Sequence, residues 1–268
     1  MTAAPVRQRP AVRLLGRLSL VLLAIAFAAG TIWLVATAAG PDTGSAEVGS
    51  PPVTAAAVEP GSALPAGVEG AAAPQAGTAG VDPLDAWAAR TAGRTTIPAR
   101  ALRAYGNADL VLRATNPGCH VSWATIAGIA RIESNHGRFG GASLGADGRP
   151  SKPIVGVPLD GSPGVQAIAD TDGGAIDGDS AVDRAVGPLQ FIPSTWRKWA
   201  SDGNRDGRAE PQQIDDAALS AARYLCAGSR DLATPAGWWS AVLSYNNSTT
   251  YAQKVFGQAD AYARVAAG

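Results

Sequence analysis

Three short constellations in this chain carry side chains able to do chemistry. The first is Glu133-Ser134-Asn135-His136-Gly137, which closes an apolar run. Reading back from Glu133, Ile126, Ile129 and Ala130 fall at i−7, i−4 and i−3, on one helical face. Ser122 suits the N-cap of such a helix, and Asn135 and Gly137 suit its C-terminal end. Glu133 then sits on the buried face, near the negative end of the helix dipole. Desolvation and the dipole both disfavour its ionised form, so its pKa should rise toward that of a general acid at neutral pH. A solvated glutamate in a last turn is the alternative that the same spacing allows.

The second constellation is Gly187-Pro188-Leu189-Gln190-Phe191-Ile192-Pro193-Ser194-Thr195-Trp196. Gly187 permits close backbone approach, Gln190 offers both a donor and an acceptor, and Pro193 starts a helix. The third is Ser244-Tyr245-Asn246-Asn247-Ser248 with Tyr251. An aromatic face stacks on a pyranose ring, and side-chain amides bond sugar hydroxyls and N-acetyl groups. Taken singly, the two read as a turn before a helix and as a capped helix end. A fourth feature, Asp202-Gly203-Asn204-Arg205-Asp206-Gly207, has the opening pattern of a calcium loop with glycine at its sixth position. Gln213 stands where the usual twelfth-position glutamate would be, and Arg208 would offer only its backbone carbonyl. An ordinary solvated Asp-Gly turn is the alternative. The acids of Asp170-Thr171-Asp172-Gly173-Gly174 and Asp177-Gly178-Asp179 lack regular ligand spacing and read as a solvated loop.

Helices must position these groups. Pro98 can take the first position of a helix running to about Thr115, with Leu102, Tyr105 and Leu112 on one side. The Glu133 helix follows. Residues 138–183 are rich in Gly, Pro and Asp and read as a long loop, and loops of that length in a compact domain are usually functional or disordered. Pro193 opens a short helix with Trp196 and Trp199. Asp215 or Asp216 begins another, striped by Ala218, Leu219, Ala222 and Leu225 and stopped by Gly228. Thr234-Pro235 starts the next, and a last helix spans roughly 250–266. No internal repeat and no alternating strand pattern stands out.

The first third of the 268-residue chain has a different character. Residues 1–17 carry Arg7, Arg9, Arg13 and Arg17 and no acid, and Leu18 to Ala39 is an uncharged, mostly apolar run of 22 residues. That is long enough to cross a bilayer as a helix, and the arginines before it place the N-terminus in the cytoplasm and the remainder outside. A cleavable signal peptide ending at Ala36-Thr37-Ala38 is the rival, with secretion as its consequence. Residues 40–82 are Ala, Gly, Pro and Ser with scattered acids, a linker that cannot bury a core. Residues 83–268 hold six of the seven Trp, all five Tyr and both Cys, and suit one domain. Lys plus Arg and Asp plus Glu both number 22, so nothing points to a nucleic-acid partner. In an oxidising compartment Cys119 and Cys226 would pair, against the alternative of two isolated buried thiols.

In the order E-S-N-H-G, G-P-L-Q-F-I-P-S-T-W and Y-N, the chain resembles the lytic murein transglycosylases with a lysozyme-like fold. More narrowly it is similar to the membrane-bound lytic transglycosylase B family, in its actinobacterial form. The resemblance covers about residues 95–266. It implies a mostly α, lysozyme-like (SLT-type) helical domain with a long loop insertion, acting on peptidoglycan glycan strands from a membrane anchor. The implied catalytic residue is Glu133, the single carboxylate, first acid and then base. Ser134, Gln190, Phe191, Tyr245, Asn246 and Tyr251 are implied along the saccharide groove, and Asp183, just before the second motif, is a weaker candidate there. No cofactor is implied for the chemistry. Some members carry a structural calcium in a longer loop, which here would take Asp202, Asn204, Asp206, the Arg208 carbonyl and Asp216, fourteen residues after Asp202. If Asp183 held a water, the activity would be that of a hydrolytic muramidase, and a wall-binding scaffold without turnover is the non-enzyme alternative.

Overall fold

The computed structural model describes residues 82–267. The cytoplasmic N-terminus, the membrane span and the linker read from residues 1–81 lie outside the described residues. Among those described, no helix is long and apolar enough to cross a membrane.

Seven α-helices and one small sheet follow in order among the described residues. They are α1 (Pro83–Ala92), α2 (Ala99–Thr115), α3 (Trp123–Ser134), β1 (Val155–Pro158), β2 (Arg184–Val186), α4 (Pro193–Trp199), α5 (Ile214–Leu225), α6 (Pro235–Tyr245) and α7 (Thr249–Ala267). Capping explains most of the starts. Ser122 accepts the Thr125 N–H at 3.3 Å to open α3, and Thr234 accepts from Gly237 N at 3.1 Å to open α6. At α5 the cap is Gln213, whose Oε1 accepts from Asp215 N and Asp216 N, so the helix begins one residue before the expected aspartates. Pro98 is the N-cap of α2 rather than its first residue. Helix α1 is an addition to the sequence reading. Asp82, assigned there to the linker, accepts the Leu84 N–H at 2.8 Å and caps it.

Helix α3 runs through the core. Trp123, Ala124, Ile126, Ala127, Ile129 and Ala130 have no exposed surface, and each large apolar side chain so buried contributes roughly 1.5–3 kcal/mol. Helix α7 lies along α3, and Gly128 is what lets it approach. A Cβ there would stand 2.8 Å from the Val255 carbonyl oxygen. On the other side α2 packs against α1, α3 and α5. Cys119, just before α3, is disulfide-bonded to Cys226, just after α5, 107 residues away. The pair closes a long loop of the unfolded chain, worth about 4–5 kcal/mol in the chain-entropy model.

The stretch read as a long loop holds β1, and β2 starts directly after it. β1 and β2 pair antiparallel, Val155 opposite Val186 and Pro158 opposite Arg184. The ribbon continues past β1 through the bridges Asp160–Ala167 and Ala169–Val182. The strands are too short, and too often interrupted by glycine and proline, to show a period of two. The acids between them accept backbone N–H groups in tight turns, as Asp170 does from Asp172, Gly173 and Gly174. They are not all solvated as expected, because Asp177 is buried and accepts from Asp179 N and Arg184 N.

Candidate active site

Glu133 sits in the last turn of α3, half-buried, on the side of a cleft of about 500 Å³. The helix stops beside it because Asn135 turns into the left-handed region (φ 53°) and His136 follows (φ 62°), returning its N–H to the Ala130 carbonyl at 3.0 Å. Tyr251 of α7 donates its hydroxyl to Glu133 Oε1 at 2.5 Å. Burial raises the Glu133 carboxyl from 4.5 to about 7, against the hydrogen bond from Tyr251, which lowers it. Near neutral pH the carboxyl is therefore poised to give and to take a proton. Burial, with the Glu133 charge adding to it, lifts the phenols of Tyr251 and Tyr245 well above their ordinary range, so both stay protonated donors.

The second motif is fastened to the first. Ser134, expected along the groove, is buried. It donates to the Pro188 carbonyl at 2.6 Å and accepts the Gly137 N–H at 2.8 Å. It is absent from the cleft lining and holds the floor against the end of α3 instead. Gly187 (φ 77°) passes so close to Pro211 that an added Cβ would lie 1.8 Å from its carbonyl oxygen. Gln190, itself at φ 49°, folds its amide back to the Gly187 carbonyl at 3.0 Å and lines the cleft. Phe191 lines it too, wedged between Trp196 and Tyr245 at ring distances of 5.3 and 5.9 Å. Tyr245 and Asn246, at the end of α6, complete this side, and the Tyr245 hydroxyl donates to the Leu189 carbonyl at 2.7 Å.

So the structure brings Glu133, Gln190, Phe191, Tyr245 and Asn246 into one cleft, with Tyr251 behind the acid. Asp183 is not among them. Its carboxylate is buried and accepts from the Thr171 N–H and hydroxyl, both at 2.8 Å, which fastens the β-ribbon rather than facing the cleft. One of its oxygens lies with one each from Asp170 and Asp172, all within 4.8 Å of one another. Sequence reasoning missed Tyr224 of α5, Thr195, Ser244 and Asn247, and the apolar lining residues of the ribbon, which include Val157, Leu159, Val165 and Ile168. Thr195, Ser244 and Asn247 lay inside motifs already singled out. The ribbon residues carried no signal beyond being apolar in a polar loop.

His136 lies in the turn that ends α3. It is fully buried, with Nδ1 3.2 Å from the Tyr105 hydroxyl and Nε2 3.1 Å from that of Tyr262. Burial first, then the charges of Arg138 and Arg131, lower its pKa to about 3, so it is a neutral tie between α2, the α3 cap and α7.

The aspartate-rich loop before α5 is closed by Asp216. Asp202 accepts from Asp206 N and Gly207 N, Asn204 from Asp206 N, and Asp206 from Arg208 N. Buried Asp216 reaches back to accept from Gly203 N at 2.8 Å and from Glu210 N at 2.9 Å. Burial raises the Asp216 carboxyl and the nearby Asp202 charge adds to the rise, while the backbone donors pull it down. Carboxylates and an amide gathered on one such loop are a donor set of the kind calcium takes.

A mainly helical domain with a carbohydrate-sized cleft and one poised carboxyl is the class this geometry defines. The family model described as "Transglycosylase SLT domain" matches residues 172–231, which hold the Gln190 motif, α4 and α5 but not Glu133 or Tyr251. Among solved structures, the Escherichia coli lytic transglycosylase Slt35 in complex with bulgecin A is similar at 17% identity, covering 67% of this chain and 79% of that one. The TM-score is 0.34, and a superposition that loose carries no argument about the site. No curated protein matches the chain.

Proposed function

We propose that this protein is a peptidoglycan lytic transglycosylase that cleaves the β-1,4 bond between N-acetylmuramic acid and N-acetylglucosamine. The observation that carries the reading is Glu133: a carboxyl raised to about 7, open to a sugar-sized cleft and held by Tyr251. Protonated, it gives its proton to the glycosidic oxygen. The oxocarbenium-like centre is stabilised by the substrate's own N-acetyl group. Glu133, now a base, takes the proton of the muramyl C6 hydroxyl, which closes a 1,6-anhydro ring. Water-using glycosidases work with two carboxylates at set separations, and Glu133 is the one carboxylate among the described residues lining this cleft. The buried, hydrogen-bonded state of Asp183 weighs against the hydrolytic alternative. The lysozyme-like fold, the lytic transglycosylase B family and its actinobacterial form stay part of this proposal.

The loop of Asp202, Asn204, Asp206 and Asp216, with the Arg208 carbonyl, would hold a structural calcium ion away from the chemistry. Calorimetry and thermal shift at millimolar calcium test it, and silence in both removes the site. A membrane anchor at residues 18–39, with the domain facing the wall, accords with the buried disulfide, which belongs in an oxidising compartment. Digestion of purified peptidoglycan by the full chain, read by mass spectrometry, decides the activity. Muropeptides lighter by one water than hydrolysis products, and absent with Glu133→Gln, support the proposal. Reducing-end products make the protein a muramidase, and no products from the unmodified chain leave a binding scaffold.

A further inference from the structure

Gln190 enters the cleft from a strained turn. Its backbone stands at φ 49°, in the left-handed region that a residue with a Cβ rarely adopts. Such a conformation persists where the surroundings over-determine it. Within the turn the ties are local. Val186 and Phe191 exchange N–H groups and carbonyls at 2.9 Å, and Gln190 N donates to the Gly187 carbonyl at 3.1 Å.

The tie from outside comes through Ile154, the buried residue just before β1. Its carbonyl accepts the Gly187 N–H at 2.9 Å. The same carbonyl accepts from Gln212 Nε2 at 2.8 Å, while the Ile154 N–H donates to Gln212 Oε1 at 3.0 Å. The Gln212 amide thus takes both backbone groups of one residue, as a paired strand would. Its main chain backs the turn as well. A Cβ on Gly187 would lie 1.8 Å from the Pro211 carbonyl oxygen and 3.4 Å from Gln212 N. Within β1, Gly156 lies against the Gln190 side chain, since a Cβ there would stand 2.9 Å from Gln190 Oε1. Gln212 therefore bears on Gln190 twice, through Gly187 at the start of its turn and through the strand beside its amide. Yet Gln212 is half-buried in the loop before α5 and does not line the cleft.

Building on the lytic transglycosylase reading, we propose that Gln212 is a positioning residue for saccharide binding: its amide clamps the Ile154 backbone, and that clamp holds the Gln190 side chain where the glycan meets it.

The test is a double-mutant cycle of Gln212→Leu and Gln190→Ala in the full chain. Every protein also carries Glu133→Gln, so that the ligand survives. Calorimetry measures the binding of a muramyl-containing tetrasaccharide. Gln212→Leu should weaken it roughly tenfold, the worth of one good hydrogen bond between Gln190 and the sugar. In the Gln190→Ala background the same change should have no further effect, because the side chain it acts through is gone. Losses that multiply overturn the proposal, and so does a Gln212→Leu protein that melts lower but binds as tightly as before. Gln212→Glu covers the case in which leucine unfolds the chain. Protonated, the new carboxyl donates and accepts as the amide does; ionised, it only accepts and faces the Ile154 carbonyl. Relative to the parent at the same pH, its affinity should match at pH 4 and fall roughly tenfold by pH 8. A ratio that is the same at both pH values counts against the clamp. A chain that binds the tetrasaccharide yet leaves no anhydro ends on peptidoglycan loses the transglycosylase reading and keeps this one. A chain that binds no tetrasaccharide loses both.

Discussion

Replacing Glu133 by glutamine should make the protein more stable, and only above acidic pH. Glutamine keeps the shape of the side chain and can still accept the Tyr251 hydrogen bond. What it removes is a group whose ionised form the fold disfavours. A carboxyl raised from 4.5 to about 7 costs the folded state about 3 kcal/mol once it is ionised in both states. The sign follows from which state holds the proton more tightly. Below pH 4.5 the folded and unfolded chains are both protonated and there is no cost. Between 4.5 and about 7 the unfolded chain has released its proton and the folded one has not, so the cost builds, and above that window it is constant. Glu133→Gln is therefore expected to be neutral at pH 4 and stabilising by about 3 kcal/mol at pH 8. For a domain of this size that is a rise of roughly 6–12 °C in melting temperature. Urea or thermal unfolding of both proteins across this pH range measures it. A difference that does not change with pH, or a destabilised mutant at pH 8, would refute the argument that desolvation poises the acid.

Other consequences are sharper in one assay than in any other. Tyr251→Phe removes a donor that favours the ionised carboxylate, so the alkaline limb of the pH–rate profile should move up by about one pH unit; an unmoved limb counts against the role. Ser134→Ala leaves the Pro188 carbonyl without its donor and should cost about 1–3 kcal/mol in urea unfolding. His136 has a folded pKa lowered from 6.5 to about 3, so stability should fall as pH drops through that window; His136→Gln should flatten the slope in acid unfolding curves. Replacing Cys119 and Cys226 by alanine should cost about 4–5 kcal/mol and make stability insensitive to reductant.

What the sequence made legible was local. The Ser122 cap, the apolar face of α3 and the Asn135 stop are short-range features, and they place Glu133 where it is found. The same holds for the proline starts of α4 and α6. Errors arose where position depends on contacts far along the chain. Ser134 follows the acid in sequence, yet its partner is Pro188, and no local pattern reveals that it turns inward. Asp183 stands four residues before Gly187, but the ribbon turns its carboxylate into its own base. Short strands closed by aspartate turns leave no periodicity to read, so nothing local marks Val157, Leu159, Val165 and Ile168 as cleft-lining. Tyr251, behind the acid, was half legible, because it was noticed with the Tyr245-Asn246 motif but its hydrogen bond crosses 118 residues.

That long reach has a bearing on timing. Helix α3 and the floor that Ser134 secures leave the ribosome well before α7, which brings both the Tyr251 hydroxyl and part of the enclosure around Glu133. Until α7 docks against Gly128, Glu133 lacks its Tyr251 partner. A nascent chain, or one cut before α7, thus carries Glu133 and the Gln190 motif without the hydroxyl of Tyr251. The hydrogen bond that holds the Glu133 carboxyl is thus among the last contacts the growing chain can make.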